Sequence, residues 1–318
     1  MIYNLFVYMK LSFLSLLLMM LVILMGIAFL TLLERKLLGY IQERKGPNKV
    51  GLMGILQPFS DALKLLSKEM FLVHKSNYII YSWAPMLMFV MMMMMWMLYP
   101  YFTNLYFLNY SILLMILMLS MMSYVVIYLG WAANSMYSMM GSVRSVSQML
   151  SYEVSFILII MILMIMSESY SFLGFLKFQI YLWYMIYLYP LFMIFFLSIL
   201  AELNRSPMDF IEGESELVSG FNIEYFGGNF TLIFLSEYGM IIYFSYMILV
   251  IFTNLLMSYL WMMCWMNIVC FLIISMRGLL PRMRYDELMY LCWKIILPLV
   301  LMYFLFILSL KFVMVMVF

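Results

Sequence analysis

The chain has 318 residues, of which 68% are hydrophobic and only 10% are charged, and its mean hydropathy is +1.07. Soluble domains are about 45–50% apolar and about 25% charged. The composition therefore excludes an ordinary soluble protein and predicts an all-α fold with several membrane-spanning helices. The net charge of +2 gives no reason to expect a nucleic-acid partner.

The sequence contains few groups that hold cofactors. Cys264, Cys270 and Cys292 form no CxxC pair, and His74 is the single histidine. Zinc and iron–sulfur sites with four protein ligands need more than this. Glycine-rich phosphate-binding loops are also missing from the sequence. We therefore expect this chain to bind no metal, nucleotide, haem or iron–sulfur cluster.

The N-terminal segment predicts a first membrane span. The apolar run after Lys10 continues to Leu33, which is longer than a signal-peptide core, and no cleavage site of small residues follows it. Nothing there resembles a transit peptide, which favours synthesis inside the compartment where the protein works. The 41 methionines are typical of the codon usage of animal mitochondrial genomes.

Eight apolar runs approach the length that a helix needs to cross the hydrocarbon, about 20 residues. They cover roughly 11–33, 78–99, 110–130, 148–167, 183–203, 235–257, 261–276 and 294–314. The seventh is short, and its boundary with the sixth is uncertain near Ser258. An even number of spans places both termini on one side of the membrane.

Charge is distributed very unequally between the two sides. Of the 17 basic residues, all but Lys10, Lys177 and Lys311 fall between spans on one side or at its edge. The positive-inside rule makes this the inner side, which is the matrix side in a mitochondrion. All the acidic residues except Glu168 lie on or near the same side. We therefore expect a large partner to dock there and both termini to face the intermembrane space.

The first inner loop contains a predicted amphipathic helix over residues 57–74. Its apolar residues follow helical spacing: Phe59, Ala62, Leu63, Leu66, Met70 and Val73. Its charged residues fall on the opposite face: Asp61, Lys64, Lys68 and Lys75. This pattern is typical of a helix that lies in the membrane interface. A helix packed on a neighbouring span is a compatible alternative.

The inner loop between the fifth and sixth spans, residues 202–234, begins with a strongly acidic segment. Between Ala201 and Tyr225 it carries one cation, Arg205, and six carboxylates: Glu202, Asp209, Glu212, Glu214, Glu216 and Glu224. Placing a charged side chain beside hydrocarbon costs free energy, so a charged segment next to membrane spans is a functional-site candidate by default. The alternative is a solvated loop without a specific role.

Other carboxylates lie at or inside the ends of spans. Glu34 ends the first span, Glu153 lies in the fourth, Glu202 closes the fifth and Glu237 opens the sixth. Each must pair, face water or hold a proton. A proton relay and static ion pairs are both open for these acids, and the predicted counter-ions are Arg35, Arg144, Arg205 and Arg282. These patterns do not distinguish a channel, a transporter and a redox-coupled subunit.

Four segments resemble subunit 1 of NADH:ubiquinone oxidoreductase, respiratory complex I, in order along nearly the whole chain. They are ERKLLGYIQERKGPNKVGLMGILQPFSDALKLLSKE (34–69), GWAANSMYSMMGSVRSVSQMLSYEVS (130–155), AELNRSPMDFIEGESELVSGFNIEYFGGNF (201–230) and PRMRYDELMYLCWKIILP (281–298). The third is the most specific. Differences, such as the Glu43–Arg44 pair and serines around 135–147, do not touch the acidic framework.

The resemblance implies a membrane subunit that forms the entry and tunnel for ubiquinone, its bound substrate, and that couples quinone reduction to proton translocation. It implies a multi-pass protein of the mitochondrial inner membrane that contacts lipids, other membrane-arm subunits and, on the matrix side, the hydrophilic arm. The resemblance further implies that the flavin and the iron–sulfur clusters are bound by other subunits. A membrane subunit of an energy-converting hydrogenase and a stand-alone ion channel or carrier are the alternatives.

The resemblance also implies roles for individual residues. Quinone-tunnel residues are Arg35, Lys36, Phe59, Asp61, Arg205 and Phe221. Proton-relay residues are Glu34, Glu69, Glu153, Glu202, Asp209, Glu212, Glu214, Glu216, Glu224 and Glu237, with Arg144 and Arg282 as counter-ions. No residue is expected to be catalytic in this chain alone.

Overall fold

A computed structural model describes residues 2–71, 73–99, 108–180, 182–209, 220–255 and 259–317. Throughout these ranges the regular structure is helical and no strand occurs, so the predicted all-α fold is confirmed. The helices are α1 (Ile2–Ile41), α2 (Gln57–Leu66), α3 (Tyr78–Met95), α4 (Ser111–Ala133), α5 (Met136–Ser167), α6 (Phe172–Phe178), α7 (Tyr184–Tyr187), α8 (Tyr189–Glu202), α9 (Gly227–Phe252), α10 (Tyr259–Leu279), α11 (Tyr285–Tyr290) and α12 (Leu297–Val317).

Seven helices in the described ranges are long and apolar enough to cross a membrane: α1, α3, α4, α5, α9, α10, and the continuous stretch from α11 through α12. The last includes a π-helical segment, Leu291–Ile296. Helix α8 is as apolar as these but has only 14 residues. The chain is therefore a multi-pass membrane protein, as its composition predicts.

The fifth predicted span, 183–203, differs from the helix found there. A break at Leu188, with φ −107° and ψ 34°, separates α7 from α8. Pro190 occupies the first turn of α8, where its missing N–H is harmless. Helix α8 is only about 21 Å long at 1.5 Å per residue, so it is shorter than the hydrocarbon thickness of about 30 Å.

Helix α2 also differs from its prediction, because it ends at Leu66 instead of residue 74. Beyond it the backbone passes close to the start of α9: a Cβ atom at Gly227 would lie 3.2 Å from the carbonyl oxygen of Glu69. Gly227 has a φ of +54°, a conformation that glycine adopts readily. The chain beyond α2 therefore lies beside the first residue of α9.

Several helices begin earlier than the predicted spans, and α5 and α9 are two of them. Helix α5 begins at Met136 instead of residue 148, and α9 begins at Gly227 instead of residue 235. The extra residues at the start of α5 are rich in serine. Ser142 and Ser145 each donate a hydrogen bond to the backbone carbonyl three residues earlier. A polar residue of this kind interrupts the apolar pattern without ending the helix.

Helix α9 lies at the centre of the bundle and is the most buried of the candidate spans, whereas α1 and α12 lie at the periphery. Helix α9 contributes Phe244, Tyr246 and Phe252 to the core, where each side chain is completely buried. In contrast, α1 presents exposed Phe13, Leu21 and similar side chains, as a lipid-facing or partner-facing helix does.

Several connections converge at one end of the bundle. The side chain of Asn134, between α4 and α5, donates a hydrogen bond of 2.9 Å to the Lys75 carbonyl. The hydroxyl of Tyr81 donates to the Glu224 carbonyl. The hydroxyl of Tyr225 donates to the Leu129 carbonyl at 2.9 Å. These bonds tie the first inner loop, the α4–α5 turn and the chain before α9 into one polar end.

A glycine-to-glycine contact holds the short turn Gly220–Asn222 against α5. A Cβ atom at Gly141 would lie 2.8 Å from the Cα atom of Gly220 and 2.9 Å from the backbone nitrogen of Phe221. Because both neighbours are backbone atoms, no side-chain rotation can relieve such a clash.

We predict that Gly141→Ala displaces this turn and lowers the free energy of unfolding by at least about 1–3 kcal/mol, the usual effect of overpacking. Thermal unfolding of the detergent-solubilised protein measures the loss. Gly26→Ala is the matched control, since its Cβ atom would meet only the Ile242 side chain at 3.6 Å. Equal melting temperatures for the two variants would contradict the prediction.

Candidate functional site

A cavity of about 790 Å³ lies between α1, α2, α9 and α10. Its walls are mainly apolar and include Ile27, Leu38, Leu65, Phe230 and Phe234. Its polar side chains come from the same helices: Thr31, Glu34, Arg35, Gln42, Asp61, Thr231, Tyr238 and Arg277. An apolar pocket with a few convergent polar groups is the usual form of a small-molecule site.

Glu34 is the most tightly held of these polar groups. It is 3% exposed, and its Oε1 atom accepts hydrogen bonds from Arg205 Nη1 at 2.9 Å and from Arg277 Nη1 at 2.6 Å. The hydroxyl of Tyr238 donates to the second oxygen, Oε2, at 2.6 Å. A buried carboxylate needs such partners because its desolvation is costly. We call Glu34, Arg205, Tyr238 and Arg277 the Glu34 cluster.

Arg205 reaches this cluster from the loop after α8. Its guanidinium also lies over the Tyr238 ring, 4.4 Å from the centroid, in cation–π geometry. Burial alone would lower the pKa of Arg205, but Glu34, Tyr238 and Glu237 together raise that pKa above its ordinary value. The guanidinium is therefore a permanent cation, and it joins the cavity to the residues that follow α8.

A second ion pair links α1 to α2 across the cavity. Arg35 Nη1 lies 2.5 Å from Asp61 Oδ2, and Gln57 Nε2 donates to Asp61 Oδ1 at 3.0 Å. The Arg35 side chain is about half exposed, so screening makes this pair weak, at about 0–1 kcal/mol. It can open at small cost when a ligand enters.

Next to the Glu34 cluster lies a very small polar pocket of about 20 Å³. It is lined by Leu203, Asn204, Arg205, Asp209, Asn222, Glu237 and Arg277. Arg205 and Arg277 therefore contact Glu34 on one side and line this pocket on the other. Asp209 is buried and lies 3.8 Å from Arg282 Nη2.

Glu153 on α5 and Glu202 at the end of α8 form a separate acidic pair, close enough for their charges to interact. The Gln148 side chain fixes α5 against this part of the chain. Its Nε2 atom donates to the Ala201 carbonyl at 2.9 Å and to the Met208 carbonyl at 2.8 Å. Two like charges near each other favour the uptake of one proton.

Several predicted site residues lie away from the large cavity. Phe59 packs edge-on against Phe29, with ring centroids 5.9 Å apart, and Phe221 is buried in the turn against α5. Lys36 lies beside Gly46 where the chain folds back on α1. None of the three is among the residues that line the cavity.

The other predicted residues divide into described and undescribed positions. Glu69 lines a neighbouring cavity of about 420 Å³ that shares Leu65 and Phe230 with the large one. Arg144 lies half-buried on α5, and Glu224 lies just before α9. Glu212, Glu214 and Glu216 lie outside the described residues.

Sequence analysis missed Arg277 and Tyr238 as members of the site. Arg277 is the basic residue in the last turn of α10, and a cation at the end of an apolar span needs an anion or water, which was a usable signal. No comparable signal marks Tyr238 in the sequence, because the chain has 26 tyrosines and nothing distinguishes this one. Only the packing of α9 against α1 brings it to Glu34.

Comparisons with known proteins agree on one family. A family model described as NADH dehydrogenase matches residues 14–308. A protein of Apis mellifera ligustica, named NADH-ubiquinone oxidoreductase chain 1, is 50% identical over 304 residues, which cover 93% of this chain and 97% of that protein. The proteins of the same name from Aedes aegypti and Locusta migratoria are 47% and 45% identical, covering 95% and 98% of this chain and 96% and 98% of their own lengths.

These relatives carry the name of a respiratory oxidoreductase and offer no support for the hydrogenase, channel or carrier alternatives. The chain therefore belongs to the NADH dehydrogenase family, as an oxidoreductase subunit similar to chain 1, and the resemblance found in its sequence is confirmed.

Proposed function

We propose that this chain forms the entry and inner part of the ubiquinone tunnel of complex I and that it couples quinone reduction to proton translocation. One observation carries the proposal: an apolar cavity ends at the buried carboxylate of Glu34, and two arginines connect this carboxylate to a pocket lined by the buried Asp209 and the half-buried Glu237. The cavity volume of about 790 Å³ falls within the range of small-molecule sites, about 300–1,000 Å³.

The lining of the cavity matches the two parts of a quinone. An isoprenoid tail needs apolar walls, which α1, α2 and α9 supply through Ile27, Leu65 and Phe234. The ring carries carbonyl oxygens that accept hydrogen bonds, and Arg35 is a donor with an exposed, weakly held side chain. Arg35 and Asp61 are therefore the groups that we expect to exchange their mutual contact for contact with the quinone ring.

The Glu34 cluster supports a role in coupling. A change of charge in the cavity acts on Glu34 and on the guanidiniums of Arg205 and Arg277, which lie in a region of low dielectric where charges interact strongly. The same guanidiniums line the pocket that contains Asp209 and Glu237. Proton uptake or release by these acids and by the Glu153–Glu202 pair is the step that we assign to this region.

The relationship to NADH-ubiquinone oxidoreductase implies other subunits of that complex as partners. We place the hydrophilic arm on the polar end of the bundle, because nearly all the charge gathers there, and the other membrane-arm subunits beside the exposed apolar helices. The corresponding location is the mitochondrial inner membrane, with lipids around the periphery.

The tunnel proposal predicts where a photoreactive ubiquinone analogue labels the intact complex. Labels are expected on α1 and α2 and are expected to disappear with excess ubiquinone. Ala62→Trp, on the cavity wall, should lower labelling and raise the KM for ubiquinone about tenfold, equivalent to about 1.4 kcal/mol. Leu63→Trp is the matched control, since Leu63 is 68% exposed and does not line the cavity. Labelling confined to the opposite end of the bundle, or equal effects of both variants, would refute the proposal.

The coupling proposal predicts the behaviour of Glu202→Gln and Glu153→Gln, which keep shape and remove a titrating proton. Both variants should assemble and should lower quinone reduction, the protons pumped per electron, or both. A static ion-pair role predicts lost assembly instead, because an unpaired buried charge costs about 3–5 kcal/mol. Glu168→Gln is the control, since its exposed side chain pairs with Lys311. Native activity in both test variants would contradict either role.

With α7 and α8 counted together as an eighth crossing, the charge asymmetry predicts that both termini face the intermembrane space. Epitope tags at Met1 and Phe318 should be removed when protease is added to mitoplasts with an intact inner membrane. A matrix-facing tag inserted after Glu43, in the first inner loop, provides the protected control. Protection of either terminal tag would overturn the orientation.

A further inference from the structure

The small polar pocket beside the Glu34 cluster contains two hydrogen-bond acceptors that the described residues do not satisfy. The side-chain oxygens of Asn204 and Asn222 are buried, and neither accepts a hydrogen bond from any described group. Both residues line the pocket of about 20 Å³, and Asn222 is 7% exposed. A buried acceptor left without a donor is unfavourable, so the pocket favours a ligand that donates hydrogen bonds.

The size and charge of the pocket identify that ligand. A volume of about 20 Å³ accommodates one water molecule, which needs about 10–15 Å³ by the same kind of measure. Two carboxylates and two guanidiniums line the pocket among the described residues: Asp209, Glu237, Arg205 and Arg277. Their formal charges cancel, so a neutral donor fits better than a metal cation or ammonium.

We infer that Asn204 and Asn222 hold one ordered water molecule that joins the Glu34 cluster to Asp209 and Glu237. The water donates its two hydrogens to the two amide oxygens and accepts N–H hydrogen bonds from Arg205 or Arg277, which line the same pocket. Two to four polar partners are what a buried water requires. The two asparagines are thereby positioning residues, since they act on the acids only through the water.

Backbone conformation and backbone contacts hold both asparagines in place. Asn204 has a φ of +49°, a left-handed conformation that asparagine tolerates better than most residues. Asn222 ends the turn that Gly141 and Gly220 hold against α5. Its carbonyl accepts a hydrogen bond from Tyr225 N at 3.2 Å. Neither side chain is needed to form these backbone contacts.

This inference rests on the proposed coupling function and adds a path to it. When Asp209 or Glu237 takes up a proton, the water can turn one hydrogen from an amide oxygen towards the remaining carboxylate. A proton then passes by release of one hydrogen from the water and capture of another from the protonated acid, so the water is regenerated. Without the water, the two acids lose this connection.

The first test is a cryo-EM map of the intact complex at a resolution that shows ordered water. Density is expected within hydrogen-bond distance of both Asn204 Oδ1 and Asn222 Oδ1, and it should vanish in Asn222→Leu, whose apolar side chain of similar shape removes the acceptor. Absence of density in the native map would overturn the inference and would leave the tunnel proposal and the results for Glu202→Gln untouched.

The second test is kinetic. Asn222→Leu should assemble normally and lower quinone reduction about tenfold, equivalent to about 1.4 kcal/mol on the barrier, with a larger solvent deuterium isotope effect. Asn222→Ser, which keeps an oxygen acceptor, should recover most of the rate. Asn204→Gly, compatible with the positive φ, should resemble Asn222→Leu.

The matched control is Asn254→Leu, because Asn254 also has a buried, unsatisfied side-chain oxygen but lies beyond the other end of α9. Its rate and isotope effect should remain native. The inference fails if Asn222→Leu keeps the native rate, isotope effect and protons per electron. It also fails if Asn254→Leu and Asn222→Leu lose activity equally, since that result indicates general destabilisation.

Discussion

The buried carboxylate of Glu34 is the constraint on which the arrangement of the polar end depends. Glu34 is only 3% exposed, so its carboxylate needs groups of opposite charge. The two cations come from distant parts of the chain, Arg205 after α8 and Arg277 at the end of α10. Removing one partner from such a pair costs about 3–5 kcal/mol. The pairing therefore fixes α1, the loop after α8 and α10 relative to one another.

The cavity is a consequence of this pairing together with the position of α2. Helices α9 and α10 meet α1 at the Glu34 cluster, while α2 lies across them and is linked to α1 through Arg35 and Asp61. The two contacts differ in strength, because the Glu34–Arg205 pair is mostly shielded from solvent whereas the Arg35 side chain is about half exposed. A rigid inner wall and a more easily displaced outer wall are suited to a site that a large apolar ligand enters and leaves.

The sequence correctly predicted an all-α protein with several membrane-spanning helices, because this property depends on local composition. The apolar runs that became α1, α3 and α9 are visible without any tertiary information, and so is the amphipathic start of α2. Predicted bounds were wrong where polar residues continue a helix, as serines do in α5, or where a helix breaks inside an apolar run, as at Leu188 between α7 and α8.

The partners within the site could not be predicted in the same way. Arg35 follows Glu34 in the sequence and was a reasonable counter-ion, but adjacent residues on a helix point in different directions. Arg35 turns to Asp61, and Glu34 is neutralised from 171 and 243 residues away. Helix packing decides which cation pairs with which acid. A single sequence shows only that a cation lies near the end of a span, and it does not show the acid with which that cation pairs.

The shared arginines explain how an event in the cavity can influence acids that the cavity does not contain. Arg205 and Arg277 each have several N–H donors, so one guanidinium can contact Glu34 and still face the pocket with Asp209 and Glu237. Because Arg205 remains protonated, the proposed coupling requires it to act by moving or redirecting hydrogen bonds and not by gaining or losing a proton. The titrating groups and the connecting groups are thus different residues. Under the proposed coupling function, this division allows the Glu34 cluster to stay neutralised while the acids around it exchange protons.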